Sequence, residues 1–315
     1  MAAKKQGRLA AAVADHSRGW SLFARKRDKL EAAAGRSLGR DAWRRLQANK
    51  AAMASIAVLV LIVIAVIIGP WLSPNNYFSQ DYNQIWTPPT LAHGHIFGTD
   101  SVGRDLFVRT MIGGRISLLV GIVATIVSLL IGVAYGATAG FAGGRVDGLM
   151  MRTVDILYAL PFMFFVILLV VFFGQNLFLM FAAIGAVSWL DMARIVRGQT
   201  LTIKQQPYIE AARMAGASGP AIVIRHVVPN LLGLVIVYVT LTIPQVILFG
   251  SFLSYLGLGV QEPLTSWGAL INDGTGEMGR APWLLFIPSL FLAVTLFCFN
   301  FIGDGLRDAL DPKDR

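Results

Sequence analysis

Five stretches of this chain carry no Asp, Glu, Lys, Arg or His, and their lengths decide what it can fold into. They are Ala51–Gln80, Ile116–Gly144, Ile156–Leu190, Val227–Gln261 and Ala281–Gly303, with 30, 29, 35, 35 and 23 residues. At about 1.5 Å per helical residue, some 20 residues cross a hydrocarbon core of ~30 Å. Charged residues make up 14% of the chain, against roughly 25% in soluble domains. Helices satisfy their own backbone hydrogen bonds in lipid. The pattern therefore predicts an all-α polytopic membrane protein.

The two longest runs need dividing. Ile156–Leu190 exceeds one ordinary span, and Gly174-Gln175-Asn176 in its middle has turn chemistry. It reads as two helices joined by a tight loop. Val227–Gln261 reads as one helix over 230–251 followed by the glycine-rich loop SFLSYLGLGVQEP. The second run is expected to end near Gly143 and Gly144. The count is six transmembrane helices.

The net charge of +9 is unevenly placed. Residues 1–50 hold 13 Lys/Arg and 4 Asp/Glu, whereas 51–315 hold 14 of each. A basic tail beside a membrane span marks a cytoplasmic end that meets anionic lipid, and nucleic acid is not the expected partner. Both termini then fall inside. So does the segment 191–229, with Arg194, Arg197, Lys204, Arg213 and Arg225. Arg104, Arg109 and Arg115 lie in the first outside segment and oppose this, partly offset by Asp100 and Asp105. Fifty residues precede the first run, too many for the head of a secretion signal. Cys298 is the single cysteine and reads as a buried thiol.

Absences narrow the chemistry. None of the seven lysines follows a glycine, so there is no phosphate-cradling P-loop. HExxH does not occur. The predicted span centres hold no Asp, Glu, Lys, Arg or His, which disfavours a proton-coupled transporter and assigns any energy source to another subunit. His93 and His95 form an HxH pair without further ligands nearby; a solvated loop is the plain reading, and no metal is expected. The stretch GTDSVGRDLFVR suits a short amphipathic surface helix, with Arg104 and Asp105 either a structural ion pair or a partner contact.

One polar segment interrupts the apolar runs: YIEAARMAGASGPAIVIRHVVPNL, residues 208–231. Pro207 suits a helix start, and Gly216 allows a stop at positive φ. Ser218 and Pro220 can begin a second helix, and Pro229 marks a kink or boundary. The product is an L with Glu210 and Arg213 exposed. Such a helix either docks into a groove on another protein or packs across its own bundle.

Glu210-Ala211-Ala212, three residues, Gly216, nine residues and His226-Val227-Val228-Pro229 together resemble the EAA motif of ABC importer permeases. FGTDSVGRDLFVRTMIGGRISL, SWLDMARIVRGQTL, SFLSYLGLGVQEPLTSWGALI and FNFIGDGLRDALDPKDR are similar to segments of the peptide and nickel branch, in particular oligopeptide permease C subunits. The likeness covers residues 36–315. It implies a type I ABC importer permease fold and four regions: a cytoplasmic tail (1–50), a first helix with a periplasmic segment (51–112), the permease domain (113–303) and a cytoplasmic C-terminal tail (304–315).

The resemblance also implies the partners: a homologous second permease, two ABC ATPase subunits that use ATP and Mg, and a periplasmic peptide-binding protein, in a bacterial inner membrane. This chain then has no catalytic residue and no cofactor. Glu210, Ala211, Ala212, Arg213 and Gly216 become a coupling helix docking an ATPase. Pro161, Ser188, Thr240, Pro244 and Gln245, with Thr242, are candidates for a path or gate, or else static kinks and interhelical contacts. Oligopeptides are the implied cargo; dipeptides, nickel or another peptide-like solute are the alternatives.

Overall fold

Asn49 starts the first long helix. Its side-chain oxygen accepts from the Ala52 N–H at 3.1 Å, satisfying a donor that a helix start leaves free. The computed structural model describes residues 38–91, 94–174 and 177–310, and among them every regular element is helical. The first helix, α1 (Leu38–Ala48), belongs to a unit separate from the rest of the described chain. The remainder forms a second unit: α2 (Lys50–Leu72), α3 (Leu106–Ala142), α4 (Gly144–Ala159), α5 (Phe162–Phe173), α6 (Leu177–Lys204), α7 (Pro207–Met214), α8 (Gly219–Ile222), α9 (Val228–Tyr255), α10 (Trp267–Gly276) and α11 (Trp283–Leu310). A π-helical turn, Val223–Val227, joins α8 to α9.

Among the described residues four helical stretches are long and apolar enough to cross a membrane: α2, α3, Gly219–Tyr255 and α11. The bent pair Gly144–Ala159 and Met163–Phe172 makes a fifth if it is one span. The sequence predicts six. The expected third span begins at Ile156, but the chain bends by 82° between α4 and α5. Pro161, expected inside a span, sits at that break as the N-cap of α5. The predicted turn appears at Gly174, with φ +87; Gln175 and Asn176 lie outside the described residues, as do residues 1–37, His93 and 311–315.

Other boundaries move because charges are paired instead of ending helices. The helix α3 starts at Leu106, not Ile116, with Asp105 accepting from the Val108 N–H at 2.9 Å as its cap. No separate surface helix forms there. Arg115 donates to the Val66 and Ile67 carbonyls of α2, at 2.8 and 2.6 Å. The helix α6 continues to Lys204, so 191–204 is helix and not loop. Arg197 makes a bidentate pair with Asp147 at 2.7 and 2.6 Å, and Arg194 reaches Asp155 at 2.9 Å. The last helix, α11, runs seven residues beyond Gly303.

Close approach of α3 and α6 organises the core. Gly132, Gly136 and Gly140 recur every four residues along one face of α3, which lets backbones meet as small residues do in membrane bundles. A Cβ at Gly140 would lie 2.8 Å from the Arg197 carbonyl oxygen, and one at Gly136 would collide with that of Ala193. At the other end of the bundle Trp267 is fully buried. Its ring N–H donates to the Thr110 carbonyl and its backbone N–H to Ser117 Oγ, seating α10 on α3.

Candidate functional site

The L-shaped segment lies at the Gly143 end of the bundle. Pro207 is the first residue of α7, where its missing N–H leaves nothing unpaired. At the other end of α7 the Gly216 N–H donates to the Arg213 carbonyl and the Ala217 N–H to that of Ala212, at 2.9 and 3.1 Å. Gly216 has φ +83. This paired closure requires a left-handed residue after the helix. Ser218 takes the N-cap of α8 with extended backbone, but its side chain makes no capping bond. Its carbonyl accepts from the Ile222 N–H at 3.0 Å. The Val228 N–H reaches back to the Val223 carbonyl, and this wider π turn precedes Pro229, which has no N–H to continue an α ladder.

The helix α7 has two faces. Ile209 is fully buried in a cluster with Met192, Val196, Ile203, Ile222 and Leu231, and Ala212 packs against it. Glu210, Ala211, Arg213 and Met214 are exposed. Met214 is 86% exposed, an unusual position for an apolar side chain. The Arg213 guanidinium stands 5.2 Å from the centre of the Phe141 ring, and the Lys204 ammonium lies 5.7 Å from it. One face thus packs on the chain's own bundle, as one of the two readings has it, and the opposite face is open.

A second feature is a cavity of about 430 Å³ between α4, α6 and α9, within the roughly 300–1,000 Å³ of small-molecule sites. Ser188 and Gln245 line it, as does Thr242. Thr240 does not: it donates to the Val237 carbonyl at 2.8 Å and faces Gly303 of α11. Pro244 is buried within α9, away from the cavity. Pro161 adjoins Leu160, which lines the rim. Tyr158, Tyr238 and Asp191 also line the cavity. Asp191 escapes a sequence reading because it is the first charge after an uncharged run and so marks a span's end. In the structure it lies midway along α6.

The opposite end of the bundle holds an ion network. Arg109 donates to Asp100 at 2.5 Å, both side chains buried. Arg104 bridges Asp100 and Glu262, at 2.7 and 2.8 Å. Burial works against the Asp100 carboxylate, but Arg109 and the bonds from Arg104 outweigh it and hold its pKa below the ordinary value. The Arg104 hydrogen bond lowers that of Glu262 despite some desolvation. His95 is buried, its Nδ1 2.8 Å from Asp105 Oδ2, and Asn75 bonds the same oxygen. Its ring is thus engaged structurally. Among the described residues there is no group of three or more His, Cys, Asp or Glu that could hold a metal.

Residues 132–315 match the family described as binding-protein-dependent transport system inner membrane component. Residues 37–89 match the N-terminal TM domain of oligopeptide transport permease C. The chain is 61% identical over 288 residues to the oligopeptide transport system permease protein OppC of Escherichia coli (strain K12), covering 91% of this chain and 95% of that one. It is 58% identical over 281 residues to OppC of Haemophilus influenzae, covering 89% and 90%. It is 46% identical over 280 residues to the dipeptide transport system permease protein DppC of Bacillus subtilis (strain 168), covering 89% and 87%. With its apolar helices and its L-shaped polar hook, the chain belongs to the inner-membrane permease family of binding-protein-dependent ABC importers.

Proposed function

We propose that the chain is one permease of an ATP-driven oligopeptide importer and forms half of its translocation path. A homologous permease forms the other half, two ATPase subunits dock beneath, and an extracytoplasmic binding protein delivers peptide. In this reading α6 is a membrane span, the bent α4–α5 pair supplies another, and the total is six. Both termini and α7 are cytoplasmic, following the Lys/Arg bias.

The observation that carries the reading is the division of α7. Ile209 locks it to α6 and α9, and Glu210, Ala211 and Met214 are left open for a cleft on an ATPase. A displacement of α7 then moves as a rigid body into the start of α9. ATP binding closes the ATPase pair and turns the permeases outward-open; hydrolysis and product release return them. ATP and Mg stay with the partners. The permease contributes a difference in affinity between two states, not bond chemistry.

Dipeptides are the second reading of cargo, favoured by the similarity to a dipeptide permease. Reconstitution of the four membrane and ATPase subunits in proteoliposomes tests the proposal. Peptide-loaded binding protein should raise ATP turnover and drive uptake. ATP turnover indifferent to loaded binding protein overturns it, and competition between peptides of different length separates the cargoes.

A further inference from the structure

The cavity between α4, α6 and α9 presents hydrogen-bond acceptors. Ser188 Oγ donates its proton to the Ile184 carbonyl at 2.9 Å, and Thr242 Oγ1 donates to the Tyr238 carbonyl at 2.7 Å. A hydroxyl whose proton is taken by its own helix offers only lone pairs to its surroundings. Asp191 adds a carboxylate, an acceptor without a donor when ionised. It is exposed, and among the described residues it has no ion-pair partner. The nearby cation Arg194, one turn along α6, is held by Asp155 at 2.9 Å and stands 4.3 Å from the centre of the Tyr158 ring. It is therefore engaged on the α4 side and leaves Asp191 as the one charged group among the described residues that line the cavity. Tyr158 and Tyr238 border the same space, and aromatic rings and phenol oxygens also favour a cation.

A wall of acceptors around one carboxylate selects a ligand rich in N–H donors and positively charged. We propose that Asp191 holds the protonated amino terminus of a peptide in transit. The inference rests on the importer reading above. It fits that reading because the α-ammonium group is common to peptides of any sequence. One anchor on it fixes the end of the chain without selecting side chains, and Gln245 on the adjoining turn of α9 supplies an amide that pairs with backbone in either sense. A charged anchor at an exposed site also binds weakly enough to release, as a path must.

The test uses the complete importer in proteoliposomes with saturating binding protein. Uptake of a free-amino tripeptide is compared with that of its N-acetylated form and of an N-acetylated form containing lysine. Asp191→Asn is expected to lower uptake of the free-amino peptide about tenfold, the usual weight of a charge-assisted hydrogen bond. The two acetylated peptides should keep their wild-type rates, and Asp191→Glu should restore the free-amino rate. The unchanged acetylated rates also show that the variant folds and assembles. Unchanged free-amino uptake in Asp191→Asn overturns the proposal, and so does an equal fall for all three peptides. A loss confined to the lysine peptide overturns the amino-terminal assignment. Failure of the importer reading looks different: the wild-type complex then takes up none of the three.

Discussion

Arg109 and Asp100 form a buried pair, 2.5 Å apart, that joins the start of α3 to the segment preceding it. The same guanidinium lies 3.5 Å from Asp273 of α10. One arginine thus faces two carboxylates in different surroundings. Asp100 keeps a lowered pKa against the pull of burial. Asp273 has a raised one, because desolvation exceeds what Arg109 and Arg104 return.

The signs of their stability contributions are opposite. For Asp100 the unfolded chain binds more protons between the lower folded value and the unfolded value of about 3.9. Its contribution is complete above that window and is lost as pH falls through the folded value. For Asp273 the native state binds more protons, so its contribution declines as pH rises from about 3.9 through its raised folded value. At neutral pH, Asp100→Asn should lower Tm by about 5–10 °C, since breaking a buried pair costs roughly 3 kcal/mol or more. Asp273→Asn should leave Tm unchanged or raise it. Thermal unfolding of the detergent-solubilised complex measures both, and a fall of equal size in the two variants would contradict this account.

The glycine stripe of α3 makes a packing prediction. Gly136 faces the Ala193 carbonyl with no room for a Cβ, whereas Gly198 of α6 has nothing within 4 Å of its own. Gly136→Leu should abolish the assembled complex, because backbone atoms cannot yield as a side chain can. Gly198→Ala should be neutral or slightly stabilising, a glycine inside a helix costing about 0.5–1 kcal/mol relative to alanine. The yield of complex after membrane extraction reads both.

What the sequence made legible is what is decided locally. Pro207 and Gly216 act through their own backbone preferences, and the structure places a helix start and a left-handed stop at those residues. The uncharged runs around α2, α9 and α11 are likewise visible as spans. Two of the misplaced boundaries share one physical cause: in the sequence a charge reads as the end of a helix. Arg109 lies inside α3 because Asp100 pairs with it. Arg197 lies inside α6 because both carboxylate oxygens of Asp147 accept from its guanidinium. Neither partner is close in sequence to the residue it neutralises, so no local pattern shows it. Helix α10 was hidden for another reason. Its residues WGALINDGTG are poor helix formers, and Trp267 holds them in place through bonds to Thr110 and Ser117.

Gly216 separates conformational strain from crowding. It has φ +83, yet an added Cβ would meet nothing within 4 Å. Asparagine tolerates this region and β-branched residues do not. Gly216→Asn should retain ATP turnover stimulated by loaded binding protein. Gly216→Val should reduce it at normal membrane levels of the chain, by a strain of about 1–3 kcal/mol that unwinds the corner. Equal activity in the two variants would show that the corner does not transmit the stroke.

Glu210 and Ile209 are neighbours on α7 with opposite exposures, so substitutions there separate docking from folding. Ile209 is fully buried, and Ile209→Ala should lower stability by about 2–5 kcal/mol through the cavity it leaves. Glu210 is exposed and has no ion pair among the described residues. Glu210→Lys should therefore insert and unfold like the wild-type chain. Its cost should fall on the ATPase interface, where charge complementarity governs encounter and a misplaced charge costs several kcal/mol. Co-purification of the ATPase subunits should drop at least about tenfold, and uptake should drop with it. Glu210→Gln keeps shape without charge and should be intermediate. Uptake at the wild-type rate in Glu210→Lys would remove Glu210 from the coupling surface and leave Arg213, Met214 and Tyr208 as the exposed side chains able to engage a partner there.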